Sequence, residues 1–449
     1  MQQLALWLYS LATWLAQPLL RRRLRRRAQA EPLYGEHVPE RFGHYLPLPS
    51  GQGAAAGPLV WLHAVSLGET RAAALLLAEL RPLLPGMRLL LTHGTATGRA
   101  EGARLLAPGD LQVWLPWDTR AATRRFVRHF RPALGILMET EVWPNLAASC
   151  RHAGVPLVLA NARLNARSYA GAQRLAWLAR PAYQGLAAAW AQSAQDAKRL
   201  AALGAPVAGV LGNLKFDVRP DAGQLAQGHA WRGRSARPVV LLASSREGEE
   251  AQWLRAVQEH FKEKPAPSLE GQGLSAIKSE SAAAVQWLLV PRHPQRFDEV
   301  EQLCLAAGLR VSRRSCWSGE PEAADVWLGD SMGEMALYYG LADVALLGGS
   351  FEPLGGQNLI EAAACGCPVV MGPHTFNFTE AAQLASAAGA AERVADMRAG
   401  VAAAVALALD APRRAVVVGQ AQAFAQAHRG AAGAMAQAIA RLLQAKAGR

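Results

Sequence analysis

The sequence predicts an α/β protein with two doubly wound parallel sheets. At 449 residues the chain exceeds what one hydrophobic core holds. Short apolar runs alternate with Gly-rich or polar loops and amphipathic helices, the pattern of parallel strands joined by crossover helices. That pattern halts in a polar stretch at 218–237 and then restarts. Hydrophobic residues at 51% and charged residues at 18% suit folded domains rather than a disordered chain. No repeat of fixed period occurs.

The first element is an N-terminal anchor at 1–27. Residues 1–20 carry no charged side chain and include Trp7, Tyr9 and Trp14; Arg21, Arg22, Arg23, Arg25, Arg26 and Arg27 follow at once. About 20 apolar residues span a bilayer, and Trp and Tyr also favour its interface. A cleaved signal peptide has its positive charge before the apolar run, not after it. The positive-inside tendency keeps the arginines and everything beyond them in the cytoplasm. The competing reading is a buried first helix of the globular body.

The first half, 28–217, has strands at 59–65, 88–91, 133–138 and 155–159. The second half, 238–449, has strands at 238–242, 285–290, 325–328, 343–347 and 368–370; its C-terminal helix is free to pack back on the first half. Residues 218–237 read as the linker. Residues 262–283, rich in Lys, Pro, Ser and Gly, read as a solvated insertion. Two doubly wound halves face each other across a cleft, with ligands at the carboxyl ends of the strands.

The formal charge of +12 fits anionic partners such as phospholipid head groups, phosphorylated lipids or nucleotides. No zinc-finger spacing and no base-reading basic helix occurs, so nucleic acid is not expected. Five scattered cysteines argue for a reducing compartment; Cys365 and Cys367 read as buried thiols, since no second Cys/His pair completes a metal site.

Candidate site residues cluster just after strands. Glu69 follows Gly68 at a helix start, where the dipole keeps a carboxylate ionised and fit to act as a general base. An ordinary first-turn helix acid fits the spacing equally well. Glu139 and Glu141 flank Thr140 after a strand. Lys215, at the end of the last strand of the first half, faces either an anionic group or solvent. In the second half Pro291-Arg292-His293-Pro294 is a proline-fixed loop suited to a phosphate, and Met332-Gly333-Glu334 opens a helix. Gly355-Gly356-Gln357-Asn358 leads into a helix bearing Glu361, an anion cradle with a carboxylate for ribose hydroxyls. Neither the dinucleotide fingerprint nor a P-loop occurs.

Several strings resemble the 3-deoxy-octulosonate (Kdo) transferases of lipopolysaccharide inner-core synthesis. They are His63-Ala-Val-Ser-Leu-Gly-Glu69, Met138-Glu-Thr-Glu-Val-Trp-Pro-Asn145, Ala160-Asn-Ala-Arg-Leu164, Gly212-Asn-Leu-Lys-Phe-Asp217, Pro291-Arg-His-Pro294, Met332-Gly-Glu334, Gly355-Gly-Gln-Asn-Leu-Ile-Glu361 and Met371-Gly-Pro-His-Thr-Phe-Asn-Phe378. The resemblance implies a GT-B fold of two Rossmann-like domains and an inverting transfer of Kdo from CMP-Kdo to a lipid A precursor, lipid IVA, at the cytoplasmic face of the inner membrane. It implies no metal and no cofactor. Glu69 takes the place of the proton acceptor, and Glu139 and Lys215 those of transition-state stabilisers. Pro291, Arg292, Met332, Gly333, Glu334, Asn358, Leu359, Ile360 and Glu361 match CMP-binding positions. The rival readings are a GT-B transferase using another nucleotide sugar, separated by a panel of donors, and a non-catalytic nucleotide-binding protein, which gives no product.

Overall fold

In a computed structural model the described residues are 2–47, 57–262 and 284–447. The expected insertion at 262–283 therefore lies, beyond Lys262, outside the described residues. The chain divides into two compact units: Met1–Asp217 with His428–Arg449, and Val218–Ala427.

The first unit holds a seven-stranded, all-parallel sheet. Its strands are β1 (Leu59–His63), β2 (Arg88–His93), β3 (Leu111–Trp114), β4 (Leu134–Met138), β5 (Leu157–Ala162), β6 (Ala188–Ala191) and β7 (Val207–Val210), in the order β3-β2-β1-β4-β5-β6-β7. Strand alternation sends Val60 and Leu62 to one face and Trp61 to the other. The first face is covered by helix Leu67–Leu83 and by Met435 and Ile439 of the C-terminal helix Ala431–Ala447. Helices Arg120–Phe130 and Pro144–His152 cover the second, with Phe126, Phe130 and Leu146 buried.

The second unit repeats the scheme with β8 (Val239–Ser245), β9 (Gln286–Pro291), β10 (Val311–Arg313), β11 (Val326–Leu328), β12 (Val344–Leu347), β13 (Val369–Met371) and β14 (Ala391–Arg393). The order is β10-β11-β9-β8-β12-β13-β14, again parallel throughout. In each sheet the chain reverses its direction of winding beside the first strand: between β1 and β4, and between β8 and β12. Ligands of open α/β sheets bind at such switch points.

Residues 218–237 are not an open linker. Most of them form helix Ala222–Arg234, which packs on helix Met335–Leu341 with Trp231 buried and Gly228 seated where a Cβ would meet the Leu337 carbonyl at 2.2 Å. A polar sequence hid this because only one narrow stripe of the helix is covered.

The N-terminal segment forms two helices, Gln2–Leu15 and Gln17–Ala30, rather than one rod. Pro18 has no amide hydrogen and cannot continue a preceding helix, so the chain breaks at Ala16. No described helix is long and apolar enough to cross a membrane. The first helix packs on Pro144–His152 and Ala176–Gln184, and Ser10 Oγ donates to Asn145 Oδ1 at 2.8 Å. Its other face presents Leu4, Trp7, Leu8, Leu11 and Leu15, all exposed. The arginine helix rests on turn Pro32–Gly35, with Leu24 buried beside Tyr34 and Trp114.

Candidate active site

At the switch point of the first sheet the loops after β1 and β4 carry Glu69 and Glu139. Ser66 caps helix Leu67–Leu83 by accepting from the Glu69 amide, and Glu69 answers in kind. Its Oε2 accepts from the Val65 amide at 2.8 Å and its Oε1 from the Ser66 hydroxyl at 3.1 Å. This is a reciprocal cap, which fixes the carboxylate in one orientation. Burial, seconded by the charges of Glu139 and Glu141, raises its pKa from an ordinary 4.5 to about 7. Glu69 is the first-turn helix acid of one reading, but burial outweighs the dipole, so it is not held ionised as its helix-start position suggested. A carboxylate that titrates near neutrality, held by its own cap, is chemically a base in waiting.

Glu139 sits in the left-handed region, φ 57°, a conformation costly for a residue with a Cβ. Its amide donates to the Ala160 carbonyl at 3.0 Å and its own carbonyl accepts from Arg163 at 3.3 Å. Asn161, also left-handed at φ 51°, bridges from there to the Lys215 turn: its Oδ1 accepts from the Leu214 amide at 3.1 Å. Lys215 does not end a strand, as the sequence suggested. β7 stops at Val210, Gly212 turns the chain with φ 89°, and Lys215 lies in the short helical turn Leu214–Asp217, on which helix Leu67–Leu83 packs. Asp217 anchors the turn through the Gly430 and Ala432 amides, at 2.5 Å each. Asn161 thus links the Glu139 loop to the Lys215 turn, and the helix that Glu69 opens packs on that same turn.

Sequence reasoning missed the histidines and Asp118 around this site. His63 and His93 are buried and kept neutral, desolvation taking them down to about 3 and about 4. Asp118 caps Pro144–His152 through the Asn145 and Leu146 amides at 3.0 and 2.8 Å and accepts from the Tyr9 hydroxyl; burial lifts it to about 6. A lone Asp before a helix gives no sequence signal of such a role.

In the second unit the organising group is another residue the sequence did not single out. Glu249, fully buried, accepts from the Arg246, Gly349 and Phe351 amides at 2.9, 2.7 and 3.0 Å. It joins the loop after β8 to the loop after β12, across the switch point. Beside it Glu250 is held by Arg296 at 2.8 and 3.1 Å and by Ser245 at 2.6 Å. Pro291 closes β9, and the Arg292 amide donates to Ser245 at 3.0 Å, placing the Pro291-Arg292-His293 turn against the same loop. Burial, then the Arg246 charge, lowers the pKa of His293.

Glu334, at the start of helix Met335–Leu341, accepts from Arg314 at 2.9 Å and from the Ser331 hydroxyl; Met332 before it is exposed and Gly333 takes φ 82°. Asn358 caps helix Leu359–Ala364 by accepting from the Ile360 amide at 3.2 Å. Leu359 and Ile360 are buried in the core, so their side chains do not face a ligand. The expected glycine cradle is otherwise occupied: the Gly356 amide donates to Gly349 at 2.7 Å and that of Gln357 to Gly348 at 3.0 Å. These glycines clasp the loop after β12 instead of holding open amides. Gly355, at φ 92°, is packed so closely that a Cβ would lie 2.4 Å from the side-chain Nδ2 of Asn377. Glu361 remains half-buried in the first turn of that helix. Among the described residues no cluster of His, Cys, Asp or Glu has metal-binding geometry.

Comparison with known proteins agrees with this architecture. Residues 36–218 match the model of the 3-deoxy-D-manno-octulosonic-acid transferase (kdotransferase) family. A 3-deoxy-D-manno-octulosonic acid transferase of Bordetella pertussis is 48% identical over 88% of this chain and 89% of its own length. One from Haemophilus influenzae is 33% identical over 78% of each. Among solved structures, a glycosyltransferase from Rickettsia africae aligns over 86% of this chain and 99% of its own with a TM-score of 0.53 at 10% identity, a likeness of fold. With relatives of that similarity spanning most of both chains, this chain belongs to the Kdo transferases, a family of glycosyltransferases.

Proposed function

We propose that the chain moves Kdo from CMP-Kdo to a hydroxyl of a tetraacylated disaccharide lipid A precursor, lipid IVA, with inversion at the anomeric carbon, on the cytoplasmic face of the inner membrane. The observation that carries the reading is Glu69, a carboxylate raised to about 7 by burial and oriented at the switch point. Glu69 takes the proton of the acceptor hydroxyl, whose oxygen attacks the anomeric carbon. The bond from that carbon to the CMP phosphate oxygen breaks, and CMP leaves with the electron pair. Glu139 and Lys215 support the charge that develops in the transition state. Pro291, Arg292, the 332–334 turn, Asn358 to Ile360 by their backbone, and Glu361 hold CMP, with Glu361 on the ribose.

Two features support the membrane assignment. The outward face of helix Gln2–Leu15 is apolar, and the arginine run follows it directly. An apolar stripe beside clustered cations is the pattern of a helix that lies in an anionic interface. The test is mass spectrometry of product made by purified protein from CMP-Kdo and the acceptor, run beside a panel of other nucleotide sugars. A gain of one or more Kdo masses with CMP-Kdo alone is expected. Transfer from a uridine or guanosine sugar instead would overturn the donor assignment.

A further inference from the structure

Two neighbouring cavities lie in the first unit beneath the N-terminal helices. The larger, of about 370 Å³, has Leu20, Val65, Leu115, Trp117, Trp143 and Leu146 among its walls. That volume falls in the range of cavities that enclose small molecules or parts of larger ones. The smaller, of about 180 Å³, is lined by Arg23, Arg27 and Arg41 together with Leu24 and Tyr34, and no carboxylate lines it. The two share four wall residues: Leu20, Arg41, Gly94 and Trp117.

Arg41 is the informative residue. Its side chain is 6% exposed, stacks over Trp114 at 4.0 Å, and spends one hydrogen bond on the Gly94 carbonyl at 3.1 Å, while its Nε has no partner. A buried guanidinium with an idle donor is costly unless something arrives to use it. Arg23 and Arg27, four residues apart on helix Gln17–Ala30, repel one another when nothing lies between them. A dianion relieves all three, and guanidinium groups match phosphate geometry.

We propose that the joined cavities are the acceptor subsite for a phosphorylated, acylated sugar: a phosphate of the glycolipid sits among Arg23, Arg27 and Arg41, and one of its acyl chains fills the apolar cavity. This rests on the lipid-acceptor reading given above and adds to it where the lipid is gripped. The occupant follows from what surrounds the cavity. The helix break that walls it turns Leu15 and Leu19 outward, 61% and 69% exposed, so a chain entering from an apolar phase meets carbon along its path. At the other end Val65, in the cavity wall, donates its amide to Glu69 at 2.8 Å, and Glu141 lines the same wall. The sugar hydroxyl to be deprotonated thus stands next to both the phosphate and the chain of one molecule.

The test uses the full-length protein in detergent micelles with three acceptors: the bisphosphorylated tetraacyl disaccharide, the same lipid stripped of phosphate, and the deacylated glycan. Because Arg23 and Arg27 are exposed, Arg23→Ala/Arg27→Ala folds normally. It is expected to raise the KM for the phosphorylated lipid roughly tenfold, about 1.4 kcal/mol, with no change for the dephosphorylated lipid and none for the donor. Ala16→Phe, or Thr13→Phe if the first misfolds, is expected to raise KM for the acylated acceptors and leave the deacylated glycan unaffected. An equal loss on phosphorylated and dephosphorylated lipid, or no loss on either, overturns the subsite. Absence of any Kdo product from the unmodified protein would instead remove the functional reading itself.

Discussion

Replacing Glu69 by Gln separates the two jobs that this side chain combines. Gln keeps the shape and one hydrogen-bond acceptor but cannot take a proton. Loss of a general base lowers the rate by roughly 10² to 10⁴, and donor binding, proposed above for residues of the second unit, is expected to stay intact. The structure also fixes the pH dependence. Glu69 works only when ionised, so with a pKa of about 7 the unmodified enzyme loses rate as pH falls below neutrality, nearly tenfold per unit. The residual rate of Glu69→Gln lacks that acid limb. Stability moves the opposite way. A carboxyl whose folded-state pKa is raised favours folding below its unfolded value near 4.5, and that contribution is lost as pH rises through 7. At about 1.4 kcal/mol per unit, and discounted for partial exposure and the altered cap, the neutral isostere is more stable than the native residue by roughly 1–2 kcal/mol above pH 8 and gains nothing at pH 4. The assay pairs a rate profile from about pH 5.5 to 9 with thermal melts from about pH 4 to 9. A helix cap without a catalytic role predicts a different pair of results: a rate within tenfold of normal and a melting point lowered at every pH. That outcome would refute the base assignment.

Glu361→Ala is expected to weaken CMP binding about tenfold or more, the value of charged hydrogen bonds to ribose hydroxyls, as read by calorimetric titration; a defect confined to the lipid acceptor would contradict the assignment. Glu249→Gln leaves at least one of three buried amides facing an NH₂ group, at a cost of about 1–3 kcal/mol. It should lower the melting point of the second unit by several degrees and raise the donor KM, and an unchanged melt would show the loops to be joined by other means. Removing residues 1–27 takes away the exposed apolar helix face and the arginines, so binding to anionic vesicles in a flotation assay should vanish while CMP binding persists. Retained flotation would place the membrane contact elsewhere.

The sequence disclosed the inner strands of both sheets and missed the outer ones. Strands β1, β4, β8 and β12 are buried on both faces and read as unbroken apolar runs. β7 alternates between half-buried and exposed positions, β6 is Ala-Ala-Trp-Ala, which suits a helix equally well, and β10 and β14 have three residues each. Such edges are made by their neighbours rather than by their own composition. The same holds at the site. Glu69 is legible as an acid at a helix start, but its reciprocal cap with Ser66 is not, because 66–69 reads as loop whereas the helix begins at Leu67. The left-handed backbone of Glu139 is not legible either, because nothing in Met-Glu-Thr-Glu requires it until Ala160 and Arg163 take up its amide and carbonyl. Glu249 and Glu250 carry no signal of burial in the sequence; the loop after β12 returns onto the first, and Arg296 and Ser245 hold the second. The glycines at 355–356 read as an open anion cradle, whereas the Gly356 and Gln357 amides are used in a clasp on the loop after β12.

The helix Ala431–Ala447 completes a unit whose remaining residues all precede position 218. Met435 and Ile439 fill part of one face of the first sheet, yet the ribosome makes them long after the strands they cover. About 210 residues separate the two parts, so at roughly 5–20 residues per second the nascent first sheet waits on the order of 10–40 s with that face only partly covered, by helix Leu67–Leu83. During that interval a chaperone, or the bilayer itself, is the available cover. A stop codon or frameshift shortly before position 431 would therefore be felt as failure of the unit that carries Glu69, while the second unit, already complete, folds undisturbed.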